Sequence, residues 1–133
     1  MTATIVYEGN LRTSCKHLDS GTEIITDAPK DNHGNGEAFS PTDLVATALG
    51  SCMLSIMGIK ARQMELTLEG TEVDITKIMV ADPRRIGEII VCIRFPKNDF
   101  SDKDKKILEN SAMTCPVFLS LHPDVKKTVE FIW

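Results

Sequence analysis

Several features that identify common classes of protein are absent from this sequence of 133 residues. The formal net charge is −4, so the chain lacks the excess of positive charge with which proteins neutralise nucleic-acid phosphates. Its basic side chains are scattered, and the one basic cluster, at residues 103–106, is diluted by acidic neighbours. We therefore expect no nucleic-acid partner.

Common catalytic and targeting motifs are missing as well. The chain has no Gly-x-Ser-x-Gly turn of a serine hydrolase and no glycine-rich loop of the kind that binds phosphates. At the N-terminus no charged segment is followed by an apolar core, so no secretory signal is visible. We expect the protein to lie in the cytoplasm.

The cysteines lack Cys-x-x-Cys spacing, which disfavours a zinc site, and we expect neither a metal nor a bound cofactor. In a reducing cytoplasm any disulfide would be transient and catalytic. Four cysteines are present, at Cys15, Cys52, Cys92 and Cys115. The histidines lie in or near predicted turns without a partner four positions away, which is typical of surface histidines: His17, His33 and His122.

What is present is the composition of an ordinary globular protein, with 42% hydrophobic and 26% charged residues, and we expect one domain over residues 1–133. Turn residues and apolar periodicity predict three strands, a long helix, a hairpin, two shorter helices and a last strand. The predicted strands are 2–7, 11–17, 23–26, 71–80, 86–95 and 125–133, and the second helix is 101–113. This order indicates an α+β fold with mainly antiparallel sheet.

The long helix has a clear start. Ser40 is a good N-cap, Pro41 suits the first helical position, and Asp43 suits the helix dipole. Residues 44–59 are apolar nearly all round, which requires burial, and they are fewer than the roughly 20 that a membrane span needs. We interpret this segment as a central core helix with small positions where another element approaches, and we expect no membrane association.

Two cysteines have contexts that favour chemistry. Cys52 lies about three turns into the long helix, beyond the reach of the helix dipole, so a thiolate there would need a cation from elsewhere in the fold. Taken alone, Cys52 is more typical of core packing than of a catalytic thiol. Cys115 directly precedes Pro116, at a predicted helix N-cap where free backbone N–H groups favour a thiolate. Cys15 and Cys92 read as structural residues.

These contexts resemble a known family. The segment S-P-T-D-L-V-A-T-A-L-G-S-C-M at residues 40–53, T-C-P-V at residues 114–117, and the separation of the two cysteines are similar to the OsmC/Ohr family of thiol-dependent hydroperoxide reductases. The resemblance implies an OsmC-like fold, with sheets around a buried cysteine-bearing helix. It also implies an intertwined homodimer with its two sites at the subunit interface.

The resemblance further implies roles for individual residues. Cys52 corresponds to the peroxidatic cysteine, Cys115 to the resolving cysteine, and Arg12 to an arginine that the family places over the reactive thiol. Where the studied peroxidases have a glutamate that pairs with this arginine, the chain has Thr42.

Two nearby carboxylates are candidates to replace that glutamate. Glu37 lies just upstream of Thr42 and Asp43 directly after it. Either one would pair with Arg12 in the family's arrangement.

The implied activity is the reduction of alkyl or lipid hydroperoxides in oxidative stress defence. Cys52 would become a sulfenic acid, Cys115 would condense with it to a disulfide, and an external dithiol such as a lipoyl-type protein would reduce that disulfide. An apolar wall for the substrate has four candidates, whose character core packing explains equally well: Leu49, Met53, Ile56 and Phe118.

Two other functions fit the same residues. An OsmC-like dimer without peroxidase activity could bind a small apolar or thiol ligand at the interface. Alternatively, a Cys52–Cys115 disulfide could act as a redox sensor, for which residues 28–39, the longest predicted loop, would be the responsive segment.

Overall fold

The computed structural model describes residues 1–133, and its chain divides into two compact units, residues 1–45 and residues 46–133. The elements follow the predicted order, with ends within a few residues of those expected. The strands are β1 (Ala3–Gly9), β2 (Arg12–His17), β3 (Glu23–Asp27), β4 (Glu72–Val80), β5 (Arg85–Arg94) and β6 (Lys126–Ile132). The helices are α1 (Pro41–Gln63), α2 (Asp102–Ala112) and α3 (Pro116–Ser120), with a short 3₁₀ turn at Lys30–Asn32. The prediction of a single domain stays a prediction.

The first unit is an antiparallel sheet in the order β1-β2-β3, followed by the loop 28–39. The loop returns to the sheet, because the Asp27 N–H donates to the Phe39 carbonyl at 3.1 Å. Gly34 makes this path possible, since a Cβ there would lie 1.7 Å from the Ala28 carbonyl oxygen. A backbone hydrogen bond therefore holds the end of the loop against the end of β3.

The second unit contains a mixed sheet in the order β4-β5-β6. The pair β4-β5 is the predicted antiparallel hairpin, whereas β5 and β6 pair in parallel. A parallel pair needs a long crossover, and here α2 and α3 supply it between the two strands. The core combines residues of α1, β5 and α2 with Cys115. It includes Leu49, Met53, Met57, Ile89, Val91, Ile93 and Leu108.

Helix α1 begins where the sequence predicts. The Ser40 hydroxyl accepts the Asp43 N–H at 3.1 Å, and the Asp43 carboxylate accepts the Ser40 N–H at 2.9 Å, which is a reciprocal cap. Gly50 is one of the predicted small positions, because a Cβ there would lie 2.7 Å from Ile75 Cδ1 on β4. Glycine therefore lets β4 pack directly on the helix backbone.

Within the single chain, burial of α1 is confined to one face, although the segment 44–59 is apolar nearly all round. One face is buried, but Val45, Ser51 and Ile59 are exposed, Ile59 by 58%. The helix is also longer than the apolar segment 44–59, and by length and composition it could cross a membrane. The core helix of a soluble protein passes the same test, so length and composition do not distinguish the two.

Candidate functional site

Cys52 and Cys115 meet in the second unit. Cys52 is half-buried on α1 and packs against the core cluster that contains Cys115, which is fully buried. Cys52 is close enough to contribute to the raised pKa of Cys115, and neither cysteine is in a disulfide. The fold therefore brings together two free sulfurs from positions far apart in the sequence.

Cys115 occupies the N-cap of α3, as its position before Pro116 predicts. Its sulfur accepts the backbone N–H of Phe118 at 3.2 Å, a contact that favours the thiolate. Burial nevertheless raises the pKa of the Cys115 thiol above its ordinary value, and the neighbouring Cys52 adds to the rise. Cys115 is therefore held as a neutral thiol near neutral pH, which suits a group that reacts second rather than first.

Arg12 is the centre of a charge cluster in the first unit. Its Nε donates to Asp27 Oδ1 at 2.7 Å and its Nη2 donates to Asp27 Oδ2 at 2.8 Å. The same Nη2 donates to Glu37 Oε2 at 2.8 Å. These hydrogen bonds raise the pKa of Arg12 further above its high ordinary value, so the guanidinium stays charged at any physiological pH.

The two predicted carboxylate candidates have different places. Glu37 contacts Arg12, whereas Asp43 accepts the Ser40 N–H and belongs to the helix cap. Asp27, which the sequence analysis did not single out, makes the larger contact with Arg12. The one signal that could have revealed it is the pairing of β2 with β3, which places Asp27 opposite Arg12.

The candidate apolar wall divides into two groups. Leu49 and Met53 have no exposed surface and are core residues, so packing explains them and we assign them no substrate contact. Ile56 and Phe118 are half-buried beside the core. Of the four candidates, only Ile56 and Phe118 have exposed surface that a ligand could contact.

The structure also places the other two cysteines and two of the histidines. Cys15 is half-buried on β2, 3.7 Å from the Thr13 hydroxyl, and Cys92 is half-buried on β5. His17 bonds Ser20 within a turn at 2.7 Å, and the exposed His122 lies 3.7 Å from Asp124.

The chain is similar to one protein family and to several solved structures. Residues 34–130 match the family described as OsmC-like protein. A solved structure from Psychrobacter arcticus, assigned provisionally to osmotic stress and detoxification responses, is 55% identical, with a TM-score of 0.94 over 98% of this chain and 95% of that one. No curated protein matches the chain.

More distant solved structures share the fold. An OsmC organic hydroperoxide resistance protein of Legionella pneumophila has 16% identity and a TM-score of 0.78, over 100% of this chain and 98% of that one. The organic hydroperoxide resistance protein OhrB of Bacillus subtilis has 17% identity and a TM-score of 0.67, over 98% of each chain. The family match spans most of the sequence, and the chain belongs to the OsmC-like protein family.

Proposed function

We propose that this protein is a cysteine-based peroxidase that reduces organic hydroperoxides in oxidative stress defence. The observation that carries the proposal is that the free thiol Cys52 packs against the core cluster that contains the free, buried thiol Cys115. Membership of a family whose solved structures include organic hydroperoxide resistance proteins supports it.

The two cysteine sulfurs and an external dithiol account for every step of the proposed reaction. The Cys52 thiolate attacks the distal oxygen of the hydroperoxide, the O–O bond breaks, and the leaving alkoxide takes a proton as the alcohol. Cys52 is then a sulfenic acid. The Cys115 sulfur attacks the sulfenic sulfur, the S–O bond breaks, and water leaves with the Cys115 proton. An external dithiol returns both sulfurs to thiols by exchange and becomes a disulfide itself.

Arg12 is proposed as the cation of this reaction. Cys52 sits too deep in α1 for the helix dipole to favour its thiolate, so a positive group from elsewhere is required. The resemblance assigns this role to Arg12, whose guanidinium is permanently charged and is ordered by two carboxylates. Its Nη1 is not engaged by those carboxylates and is available to donate to an anion.

The substrate is proposed to be an alkyl or lipid hydroperoxide. Ile56 and Phe118 are half-buried neighbours of the two cysteines in the sequence, and apolar surface of this kind favours an organic group over hydrogen peroxide. The reductant is proposed to be a dithiol, for example one of lipoyl type.

We also propose that the protein works as a homodimer. The sheet of the first unit exposes Ile5 by 65%, Tyr7 by 63% and Ile24 by 47%, and α1 exposes Ile59 by 58%. Several exposed apolar side chains on one element are typical of an interface rather than of a free monomer. Ile5 and Ile24 flank Cys15 in the strand register and share one face of the sheet.

The decisive experiment is mass spectrometry of the reduced protein after one equivalent of cumene hydroperoxide. We expect rapid loss of the mass of two hydrogen atoms and a disulfide that maps to Cys52 and Cys115. Cys52→Ser should abolish steady-state turnover, whereas Cys115→Ser should consume one equivalent of peroxide and then stop.

Cys92→Ser is the matched control, because Cys92 is half-buried on β5 and is not among the residues that pack against the core cluster of Cys115, and it should keep full turnover. Steady-state turnover retained by Cys52→Ser would refute the peroxidase. Absence of oxidation, or slow oxidation scattered over Cys15 and Cys92, would favour the ligand-binding alternative.

A further inference from the structure

The second unit contains a cleft that the cysteine chemistry does not use. It lies between the segment that joins α1 to β4 and the segment that joins β5 to α2, and its volume is about 360 Å³. Its lining residues fall within 67–71 and 95–100, and none of them is a cysteine. A cleft of this volume is large enough for a small molecule.

Two aromatic rings give the cleft an ordered apolar side. Phe95 stacks on Trp133 with the ring centroids 3.6 Å apart, and Phe100 meets Trp133 edge-on at 6.1 Å. Trp133 itself does not line the cleft, and its indole N–H donates to Glu109 Oε1 at 2.9 Å. Because these contacts already order both phenylalanine rings, a ligand that packs on them does not have to fix them in place.

Neutral polar side chains hold the two segments of the cleft in shape. The Thr71 hydroxyl donates to the Leu68 carbonyl at 2.6 Å. The Asn98 side chain donates to the Pro96 carbonyl at 2.9 Å and accepts the Phe100 N–H at 3.3 Å. Since these groups already have partners, the cleft selects a ligand mainly by its charge and its apolar surface.

The charge of the cleft is negative. Its charged side chains are Glu69, Lys97 and Asp99, which are exposed and form no salt bridge. Two carboxylates outnumber one ammonium, and the long stem of Lys97 lets that ammonium move out into water. A negative cleft attracts a cation, and the faces of aromatic rings attract one as well.

We propose that this cleft is a binding site for a small organic cation, an ammonium group carried on an apolar body. The carboxylates of Glu69 and Asp99 attract the ammonium, and the rings of Phe95 and Phe100 contact the apolar body. The combination of ring surface and negative charge is the one by which proteins recognise alkylated ammonium groups. This site is independent of the proposed peroxidase activity.

The test titrates the protein with benzyltrimethylammonium at constant ionic strength, by calorimetry and by the fluorescence of Trp133, the one tryptophan of the chain. Benzoate carries the same ring with the opposite charge, and benzyl alcohol carries it without charge. We expect the cation to bind on the order of tenfold more tightly than benzoate, because the net charge of the cleft attracts the first and repels the second. The affinity for benzyl alcohol should lie between the two.

Exposed charge variants locate the binding without disturbing the core. Glu69→Gln and Asp99→Asn should each weaken the binding of the cation about threefold, and Lys97→Gln should strengthen it. Glu130→Gln is the matched control, because it removes the same charge from an exposed residue of β6 that does not line the cleft, and it should leave the affinity unchanged.

Three results would overturn the proposal. They are the absence of saturable binding of the cation, binding of benzoate as tight as that of the cation, and an effect of Glu130→Gln as large as that of Asp99→Asn. The last result would mean that the cation responds only to the overall negative charge of the protein. Consumption of peroxide does not enter any of these measurements, so the peroxidase proposal stands or fails separately.

Discussion

At the scale of single residues, Cys115 shows how burial and a helix cap oppose each other. The Phe118 N–H favours a thiolate at the cap, but the sulfur is fully buried, and the net effect is a raised pKa. Position before a proline alone would have predicted the opposite direction. Burial dominates because a charge without bulk solvent costs more than one hydrogen bond returns.

A prediction follows for alkylation of the reduced, folded protein. A raised pKa means that the reactive thiolate of Cys115 forms only as the pH rises above the ordinary thiol range, so at neutral pH it should be the slowest of the four cysteines to react with iodoacetamide. Peptide mapping over a pH series measures this. The urea-unfolded chain is the control, in which all four should react at similar rates, and equally fast folded-state labelling of Cys115 at neutral pH would contradict it.

At the scale of elements, helix α1 was predictable because its signals are local. The Ser40 cap, Pro41 and the apolar run are read within a few residues, and the structure confirms the start. The parallel pairing of β5 with β6 was not predictable in this way, because it depends on how α2 and α3 carry the chain across the sheet.

The close approach of β4 to α1 predicts different effects for two glycines of the same helix. Gly58→Ala meets no atom within 4 Å and should raise the free energy of unfolding by up to about 1 kcal/mol, through helix propensity. Gly50→Ala should lower it, because the new Cβ would lie 2.7 Å from Ile75 and 3.1 Å from Val73, and overpacking of this kind costs about 1–3 kcal/mol. Urea unfolding of both variants measures the difference, and equal stabilisation by both would show that β4 does not constrain α1.

At the scale of the whole molecule, the exposed apolar surface of the first unit predicts self-association. Size-exclusion chromatography with light scattering should give about twice the 14.7 kDa of one chain. Ile5→Lys, which places a charge in the apolar face of the first sheet, should shift the mass towards that of a monomer.

Ile132→Lys is the control for that experiment, because Ile132 is an exposed apolar residue at the end of β6 in the other sheet. It should leave the mass unchanged. A monomeric mass for the unmodified protein would rule out the dimer and leave the exposed face of β1 and β3 without an explanation.

The sequence alone determined the order of elements, the cysteine-bearing helix, the cap at Cys115 and the resemblance to a family that the comparisons then confirmed. Only tertiary structure decided that Asp27 is the main partner of Arg12, since the two residues are brought together by strand register rather than by any local pattern. The proximity of Cys52 and Cys115, which the resemblance implied, also depends on packing in the core rather than on a local pattern. Local hydrogen bonding and periodicity depend on residues that are close together in the sequence. A site depends on packing that brings distant residues together.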